Sequence, residues 1–389
     1  MNALQGLLQK GFTHTAHEIA GQPEVWRETL ETVLEELPRL ASFCEGTEKL
    51  LLTGAGSSYY AALSAVPLLR PLFGSVEAIP STEILMDPES CFPRTNFVLV
   101  SLARSGNSPE GNAVFSLAGS MRPGKAKHVV ITCNKEGKLA GQADGEGSGG
   151  FKLLLPESSN DQGLAMTASF TSLTLAAFSL GFMGRPREYR EVVQGLSEAA
   201  SNLLSDGSDL ARSLAEEGFS RTFFLASRPS LGGALEAHLK VLEMSGGKVF
   251  AKAEDTLGFR HGFMAAVDPE SLIVFSISGD ARRRRYEADL LGEIRAKALG
   301  KKIALIAEND AAESLSVPRN ASFLYRASPP VTDAVRSPLV AITGQLLGLF
   351  LSLKAGLMPD NPSPGGVISR VVQGVRIYEE REEPPLSRP

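Results

Sequence analysis

The sequence predicts an α/β fold made of two duplicated three-layer αβα domains, each with a mostly parallel sheet, preceded by an N-terminal helical segment. Two observations predict it. Short apolar runs rich in β-branched and aromatic residues alternate with longer helical patterns, which is typical of parallel sheets covered by helices on both faces. The same series then occurs a second time, in the same order, within the 389 residues, as expected for an internal duplication.

The first part of the chain is predicted to be helical and then to alternate. Residues 12 to 42 carry apolar positions at helical spacing after Thr13 and His14, and Pro23 is predicted to separate a first helix from a second at Val25–Leu40. The four strands predicted next are Leu50–Thr53, Phe97–Leu102, His128–Thr132 and Phe151–Leu155. The last of them leads into a long apolar helix at about Leu164–Phe182.

The second series repeats this order with similar spacing. Its predicted strands are Thr222–Ala226, Leu272–Ile277, Lys302–Ala307 and Ser322–Arg326. A second long apolar helix is predicted at about Val331–Leu353. Its most apolar part begins at Leu339 and contains Thr343 and Gln345, so we expect a buried helix and no membrane span.

These series divide the chain into four predicted segments: an N-terminal helical segment at 1–47, a first domain at 48–186, a helical linker at 187–218 and a second domain at 219–389. The tail from Pro359 onward is rich in proline and charge, and its end is predicted to be loosely ordered.

Composition restricts the class of protein. The net charge of −5 argues against a nucleic-acid partner, because binding to a phosphate backbone depends on a basic surface. Cys44, Cys91 and Cys133 are widely spaced and form no C-x-x-C motif, which favours a reducing, cytoplasmic compartment over a disulfide framework or a zinc cluster. The N-terminus lacks the basic and apolar regions of a secretory signal.

The loop after the first predicted strand is Gly54-Ala55-Gly56-Ser57-Ser58. Gly56 allows close backbone approach, and the helix that follows presents free N–H groups to an anion, with Ser57 and Ser58 beside them. A dinucleotide fingerprint needs a third glycine, which is missing here. The purely structural alternative is a glycine turn with a serine cap.

The loop after the second strand runs from Ala103 to Ser108 and offers Arg104, Ser105, Asn107 and Ser108. Hydroxyls together with the amides of a helix N-terminus form a phosphate cradle. Ser108 as N-cap, with Pro109 at the first helical position, is a structural alternative compatible with it. The corresponding loop of the second series, Ser278-Gly279-Asp280, is short and acidic, so only the first domain is expected to hold phosphate.

The second domain supplies candidate acid–base groups. The predicted helix Leu231–Ser245 contains Glu236, His238, Lys240 and Glu243, charges that are typical of a solvent-exposed face when each is taken alone. His261 lies in a loop between arginine and glycine and is a candidate acid–base group. The run of arginines at 282–285 is interpreted as a solvated helix start.

Taken in order, the segments GAGSS, ARSGNSPE, SSNDQGLAMTASF, LKVLEMSGGKV and GFRHG resemble the tandem SIS (sugar isomerase) domain proteins. The chain is most similar to the AgaS branch, the galactosamine-6-phosphate deaminase/isomerases, also labelled tagatose-6-phosphate ketose/aldose isomerases. The resemblance covers nearly the whole chain, from HTAHEIAGQPEVW to DNPSPGGVISRVVQGVRIY. It implies a tandem SIS fold and an enzyme acting on a hexose or hexosamine 6-phosphate, with galactosamine 6-phosphate as the expected substrate.

The isomerase domain of glucosamine-6-phosphate synthase is a more distant resemblance, and it implies roles for individual residues. Ser58, Ser105 and Ser108 would bind the sugar phosphate, with Arg104 where that relative has glutamine. Glu243 would move a proton between C1 and C2, and His261, supplied by a neighbouring subunit, would open the sugar ring. The segment Leu164–Thr167 would border the sugar, with Thr167 among the binding residues.

The chain departs from these patterns at two positions. Phe263 follows R-H-G where the AgaS pattern continues into proline, so we expect the loop that carries His261 to differ from that pattern. Gln373 stands where the distant relative has a lysine, so a Schiff base there is not expected. The proposed chemistry requires no metal and no redox cofactor.

The expected partners are a sugar-phosphate substrate and a second copy of the chain, as a homodimer or higher oligomer, with no nucleic acid and no membrane. The alternative function is a non-catalytic sensor that binds a sugar phosphate. In a pure sensor, Glu243 and His261 need not converge on the phosphate loop.

Overall fold

The computed structural model describes residues 2–12, 14–145, 149–308, 311–312, 315, 321–327 and 330–378. Within them the chain forms two five-stranded sheets in which all strand pairs are parallel. The first sheet consists of β1 (Lys49–Thr53), β2 (Ser75–Ala78), β3 (Phe97–Ala103), β4 (Ala126–Thr132) and β5 (Gly150–Leu154). The second consists of β6 (Arg221–Ala226), β7 (Phe250–Asp255), β8 (Ser271–Ser276), β9 (Lys302–Glu308) and β10 (Ala321–Ala327).

The strand orders are β2-β1-β3-β4-β5 and β7-β6-β8-β9-β10, so the two sheets share one topology. This confirms the predicted fold class. Each sheet has one strand more than predicted, and both additional strands, β2 and β7, lie at an edge. The sequence pattern missed them because β2 has only four residues and β7 carries Lys252 and Glu254, and an edge strand that pairs on one side tolerates such short or charged sequences.

The helices of the first half are α1 (Ala3–Leu8), α2 (Thr15–Phe43), α3 (Ser57–Leu69), α4 (Ser81–Met86), α5 (Pro88–Cys91), α6 (Pro109–Met121), α7 (Lys138–Ala143) and α8 (Ala168–Phe178). Those of the second half are α9 (Pro186–Glu217), α10 (Arg228–Met244), α11 (Ala281–Ala296) and α12 (Ser337–Lys354). Short 3₁₀ turns occur at Glu157–Ser159, Ser179–Phe182, Gly258–Arg260, Phe263–Ala266 and Asp333–Val335.

Alternate strand residues face two different cores, as parallel sheets covered on both sides require. In β1, Leu50 and Leu52 face a large core shared by both sheets, whereas Leu51 faces a separate outer core with Val114 of α6. The second sheet repeats this, with Phe224 facing the shared core and Phe223 facing outward. The shared core joins the two halves into one packed body.

The helix α2 corrects the prediction that Pro23 separates two helices, because one continuous helix passes through Pro23 and Pro38. Proline removes the hydrogen bond that its own N–H would donate four residues back. Here the carbonyl of Ile19 accepts a hydrogen bond from Gln22 Nε2 at 3.1 Å instead. Thr13, predicted to precede this helix, lies outside the described residues.

The long helix α12 packs against both α9 and α10 in the shared core. A helix, α9, lies where the linker is predicted, and the helix predicted from Val331 begins at Ser337, after a 3₁₀ turn. Among the described residues, α12 is the one helix long and apolar enough to cross a membrane, but 89% of it is buried inside the protein. It is therefore a core helix.

The tail after α12 crosses the first half of the molecule. It has little regular structure, an isolated bridge between Met358 and Asn361 being its one strand-like pairing within the described residues. The Leu164 amide donates to the Asp360 carbonyl at 3.0 Å. The end of the tail that the sequence predicts to be loosely ordered, residues 379–389, lies outside the described residues.

Candidate active site

A cavity lies at the carboxyl ends of β1 and β3, where the strand order of the first sheet reverses direction and where ligands of open parallel sheets bind. The volume of this cavity that is accessible to water-sized molecules is about 140 Å³. We call it the phosphate-loop cavity. Its polar lining residues are Thr53, Ser58, Ser81, Ser101, Arg104, Ser105, Ser108, Glu110, Asn112 and Arg370.

The loop after β1 brings the start of α3 to this cavity. Gly56 has φ +54° and caps α3, a conformation that disfavours any side chain. A Cβ at Gly54 would overlap the backbone of Ser58. Both predicted serines, Ser57 and Ser58, are buried, and Ser58 lines the cavity while Ser57 turns toward α10.

The loop after β3 is held by side chains that bond its backbone. Gly106 has φ +65°, and its carbonyl accepts from Asn112 Nδ2 at 3.1 Å. Asn134 Nδ2 donates to the carbonyl of Ser105 at 2.8 Å. The amide oxygen of Asn107 accepts from the Lys138 backbone, so this predicted residue supports the loop and does not line the cavity.

The hydroxyls of Ser105 and Ser108 both reach the cavity but are engaged differently. Ser105 Oγ accepts from the Asn107 amide at 3.2 Å, and its hydroxyl donates to no residue that the structure describes. Ser108 is the N-cap residue of α6, with Pro109 at the first helical position, yet its hydroxyl donates to Glu110 at 2.6 Å instead of capping the helix. An incoming phosphate must therefore compete with Glu110 for the Ser108 hydroxyl.

Arg104 is buried, and its guanidinium donates hydrogen bonds to backbone carbonyls. It donates to Leu164 at 3.1 Å and to Arg370 at 2.8 Å. It thus joins the phosphate loop to the Leu164–Thr167 segment and to the tail. Burial lowers the pKa of the Arg104 guanidinium.

Two further buried hydroxyls line the cavity without a hydrogen-bond partner among the described residues. They belong to Ser81 and Ser101. A buried hydroxyl left unpaired is costly, so these two groups suit a polar ligand. Sequence reasoning missed Ser81 because it follows the unrecognised strand β2. Ser101 stood out only as a polar residue in an otherwise apolar strand.

Next to the cavity, α10 carries a buried cluster of charges. Lys240 Nζ lies 3.2 Å from Glu236 Oε1 and 2.6 Å from Glu243 Oε2, and it donates to Ser57 Oγ at 3.2 Å. Glu236 and Lys240 are fully buried, whereas the Glu243 side chain keeps 22% of its surface exposed. The cluster therefore places Glu243 at the open end of a fixed network.

The Glu236 and Lys240 charges on α10 are buried, so the alternative interpretation of a solvent-exposed face does not hold. Glu236, Lys240 and Glu243 recur at intervals of four and three residues, which places them on one side of the helix. That side meets α3, where a Cβ at Gly232 would overlap Ser64. The shared face was visible in the sequence, but the burial was not, because it depends on contact between the two halves of the chain.

The electrostatics of the cluster follow from this burial. Burial raises the pKa of Glu236 to about 7. Although burial alone would lower it, the neighbouring carboxylates hold the pKa of Lys240 above its ordinary value. Burial lowers the pKa of His238, on the same helix, to about 4.

Thr167 is fully buried, and its hydroxyl donates to Asp161 at 2.7 Å. The same carboxylate accepts from the first amides of α8, including those of Ala168 and Ser169. Thr167 therefore does not line the cavity. Met166, the residue before it, does.

His261 ends a 3₁₀ turn after β7 and is exposed. It does not line the phosphate-loop cavity. Within one chain, the structure brings Ser58, Ser105 and Ser108 together and places Glu243 beside them through Lys240 and Ser57, but it leaves His261 apart.

The second-domain loop at Ser278 is occupied by a carboxylate of the chain itself. Asp333 accepts from the Gly279 amide at 3.0 Å and from Arg283 at 2.9 Å, and also from the Ser278 hydroxyl. An anion seat exists here, but Asp333 fills it. In the arginine run, Arg283 donates to the Ser278 hydroxyl and Arg284 to the Gly279 carbonyl, while Arg282 and Arg285 are exposed.

Comparison with known proteins gives relatives along nearly the full chain. AgaS from Streptomyces coelicolor is 38% identical over 380 residues, covering 94% of this chain and 95% of the relative. The D-galactosamine-6-phosphate deaminase AgaS of Shewanella sp. strain ANA-3 is 32% identical over 387 residues, covering 96% and 93%. No protein-family model matches the chain.

Solved structures agree. The crystal structure of tagatose-6-phosphate ketose/aldose isomerase from Escherichia coli superposes with a TM-score of 0.84 at 29% identity, covering 96% of this chain and 98% of that one. A crystal structure from Clostridium novyi NT gives a TM-score of 0.86 at 34% identity, covering 94% and 95%. The chain belongs to the AgaS family of tandem SIS-domain phosphosugar isomerases and deaminases.

Proposed function

We propose that this enzyme converts galactosamine 6-phosphate and water to tagatose 6-phosphate and ammonia, by proton transfer between C2 and C1. The observation that carries the proposal is the buried Glu236–Lys240–Glu243 cluster set against the phosphate-loop cavity through Ser57. Together, the cavity offers a binding site for the phosphate and the cluster offers a carboxylate held in a fixed position. The names of the AgaS relatives support the choice of substrate.

The mechanism begins with the phosphate. Ser58, Ser105 and Ser108, together with the N-terminal amides of α3 and α6, hold it, and this remote binding orients the reacting end of the sugar. His261 opens the ring by acid–base transfer between the ring oxygen and the C1 hydroxyl.

Glu243 then moves the proton. Its carboxylate removes the proton from C2 while the C1 oxygen takes up a proton, giving an enolamine; it then returns the first proton to C1 while the C2 nitrogen gives one up, giving an imine at C2. Water adds to the imine and ammonia leaves, so a ketose phosphate is formed. Lys240 holds Glu243 in place from one side, which fixes the position of the carboxylate during both steps.

His261 does not line this cavity in its own chain, so the proposal includes a homodimer in which each His261 serves the partner's site. Its exposed position after β7 makes it accessible to a second copy. The proposal also includes a cytoplasmic location, consistent with free thiols at Cys44, Cys91 and Cys133.

The test is replacement of the proposed base. Glu243→Gln keeps the shape of the side chain but removes the carboxylate, and we expect ammonia release from galactosamine 6-phosphate to fall by about 10²–10⁴-fold. Glu198→Gln, at an exposed position of α9, is the matched control and should keep full activity. A folded Glu243→Gln enzyme with full activity contradicts the proposal.

The alternative, a non-catalytic sugar-phosphate sensor, is less well supported. A sensor has no need of two carboxylates and a lysine buried together, since burying charge costs stability. A sensor would bind galactosamine 6-phosphate and release no ammonia in the assay above.

A further inference from the structure

The second half of the molecule contains its own cavity at the place that corresponds to the phosphate-loop cavity. It holds about 480 Å³ for water-sized molecules, within the range of small-molecule sites. Ser227 directly follows β6 and Thr256 directly follows β7, while in the first sheet Gly54 directly follows β1 and Ser81 comes three residues after the end of β2. We call this space the second-domain cavity. No step of the proposed reaction uses it.

An arginine without an ion-pair partner among the described residues, Arg228, lies at the mouth of the second-domain cavity. Arg228 is exposed in the first turn of α10, and it makes no ion pair or side-chain hydrogen bond with any residue that the structure describes. The N-terminal end of this 17-residue helix adds partial positive charge at the same place. Asp333 already neutralises Arg283, the other arginine of the lining. Arg228 is thus the cation left for an anionic group, on a lining that also carries the exposed carboxylate of Asp255, which accepts from the Gly258 amide at 2.8 Å.

The floor of the cavity carries unused hydrogen-bonding atoms. Thr256 Oγ1 has no partner among the described residues, and Thr256 is only 3% exposed. Glu287 is 1% exposed; its Oε2 accepts from the Ser278 amide at 2.7 Å, while its Oε1 has no hydrogen-bond partner among the residues that the structure describes. Buried polar atoms are normally paired, so two unpaired atoms in one cavity point to a ligand.

The walls between mouth and floor are apolar. Leu63, Val66 and Pro67 of α3 form one side, and Leu231 and Leu257 line the cavity as well. Such walls fit the carbon face of a ring. The arrangement selects a molecule with an anion at one end, a ring in the middle and hydroxyls at the other end.

We propose that the second-domain cavity is a second ligand site, which takes a phosphate monoester of a hydroxylated ring compound. The phosphate pairs with Arg228, the ring lies between the leucines, and ring hydroxyls donate to Glu287 Oε1 and bond Thr256. A phosphorylated sugar and a nucleoside monophosphate share this chemistry. The proposal does not depend on the reaction assigned to the phosphate-loop cavity.

The test measures binding in the full-length Ser105→Ala/Ser108→Ala protein, in which the first phosphate seat is weakened. Galactosamine 6-phosphate and adenosine monophosphate are titrated separately by calorimetry. We expect one of them to bind, and Arg228→Ala in the same background to weaken that binding about tenfold, as loss of a charge-assisted hydrogen bond should. The probe that binds distinguishes the sugar from the nucleoside.

Arg285→Ala, at an exposed position of α11 outside the cavity, is the matched control and should leave binding unchanged. Thr256→Val conserves shape and should also weaken binding, with the thermal midpoint verifying that each variant is folded. The proposal is overturned if neither probe binds, if Arg228→Ala leaves the affinity unchanged, or if Arg285→Ala weakens it equally.

Discussion

At the scale of the residue, position decides what an arginine or a threonine does. The sequence predicts that Arg104 and Thr167 bind substrate. In the structure, the Arg104 guanidinium donates hydrogen bonds to the carbonyls of Leu164 and Arg370. The Thr167 hydroxyl is buried and donates to Asp161. Their binding roles stay predictions. Arg104 is placed to help hold the cavity together, because its guanidinium bonds both the Leu164 segment and the tail.

Ser105 and Ser108 give a direct test of the phosphate seat. With the double change to alanine, we expect the KM for galactosamine 6-phosphate to rise about tenfold or more, since each bond to a charged phosphate contributes about 1.5–3 kcal/mol. The kcat should fall less, because the phosphate is held in both the ground and the transition state. Ser120→Ala, exposed on the same helix, is the control. An unchanged KM contradicts the seat.

Glu18 predicts an unusual dependence of stability on pH. Burial, with the nearby charges of Asp161 and Asp360, raises its pKa from the ordinary 4.5 to about 7, against the backbone hydrogen bonds it accepts from Gly163 and Gln162. Between those values the folded chain holds a proton that the unfolded chain has released. The contribution of Glu18 is therefore most favourable below pH 4.5, and it is lost progressively as the pH rises to about 7.

Glu18→Gln removes this titration while keeping an oxygen for the amides of Gln162 and Gly163. The melting temperature of the variant should fall less between pH 5 and pH 7.5 than that of the unchanged protein, by the linkage just described. Glu35→Gln, exposed on the same helix, should follow the unchanged protein. Identical pH profiles for all three proteins would show that Glu18 titrates normally.

At the scale of the element, the sequence predicts what is strongly patterned and misses what depends on contact. All eight predicted strands are present with shifted ends, because each is an apolar run between turn residues. The edge strands β2 and β7 lack that pattern. The continuity of α2 depends on Gln22 Nε2, which bonds Gln345 of α12 at 2.7 Å as well as Ile19, and no local pattern shows a partner so far along the chain.

The close packing of α10 against α12 requires a residue without a side chain at Gly344. A Cβ at Gly344 would overlap the backbone of Ala237, so the two helices lie closer than side chains permit. Gly344→Ala should lower the free energy of unfolding by about 1–3 kcal/mol, because moving the two helices apart to fit the methyl group disrupts their other packing contacts. Activity should fall with it, since α10 carries Glu243.

Gly292 of α11 supplies the control, because it is exposed and a Cβ there would meet nothing within 4 Å. Gly292→Ala should raise the free energy of unfolding by about 0.5–1 kcal/mol through helix propensity alone. Chemical denaturation of both variants measures the difference. If Gly344→Ala is as stable as the unchanged protein, the helices are not in close contact.

At the scale of the whole molecule, the duplication produces two sheets with the same topology, but the loops that follow their strands differ. The first keeps a loop open to a ligand, and the second fills its loop with Asp333. The sequence predicts this asymmetry from the short acidic loop at Ser278. It does not predict the second-domain cavity, which is assembled from α3, α10, α11 and the end of β7 and is recognisable only once the halves are packed.

The proposed sharing of His261 between subunits is testable with two inactive variants. Glu243→Gln and His261→Ala proteins are each expected to be inactive alone. If His261 serves the partner's site, a mixed dimer has one site that lacks both groups and one that has both. Random exchange makes about half of the dimers mixed, so an equal mixture should recover about a quarter of the unmutated activity.

Exchange of subunits is driven by mild denaturation and refolding of the mixture, and ammonia release is measured afterwards. Refolding each variant by itself is the control for recovery without partner exchange. If His261 acted within its own chain, every site in every mixed dimer would lack one group, and no activity would return. The size of the recovered activity therefore tells whether the catalytic unit is one chain or two.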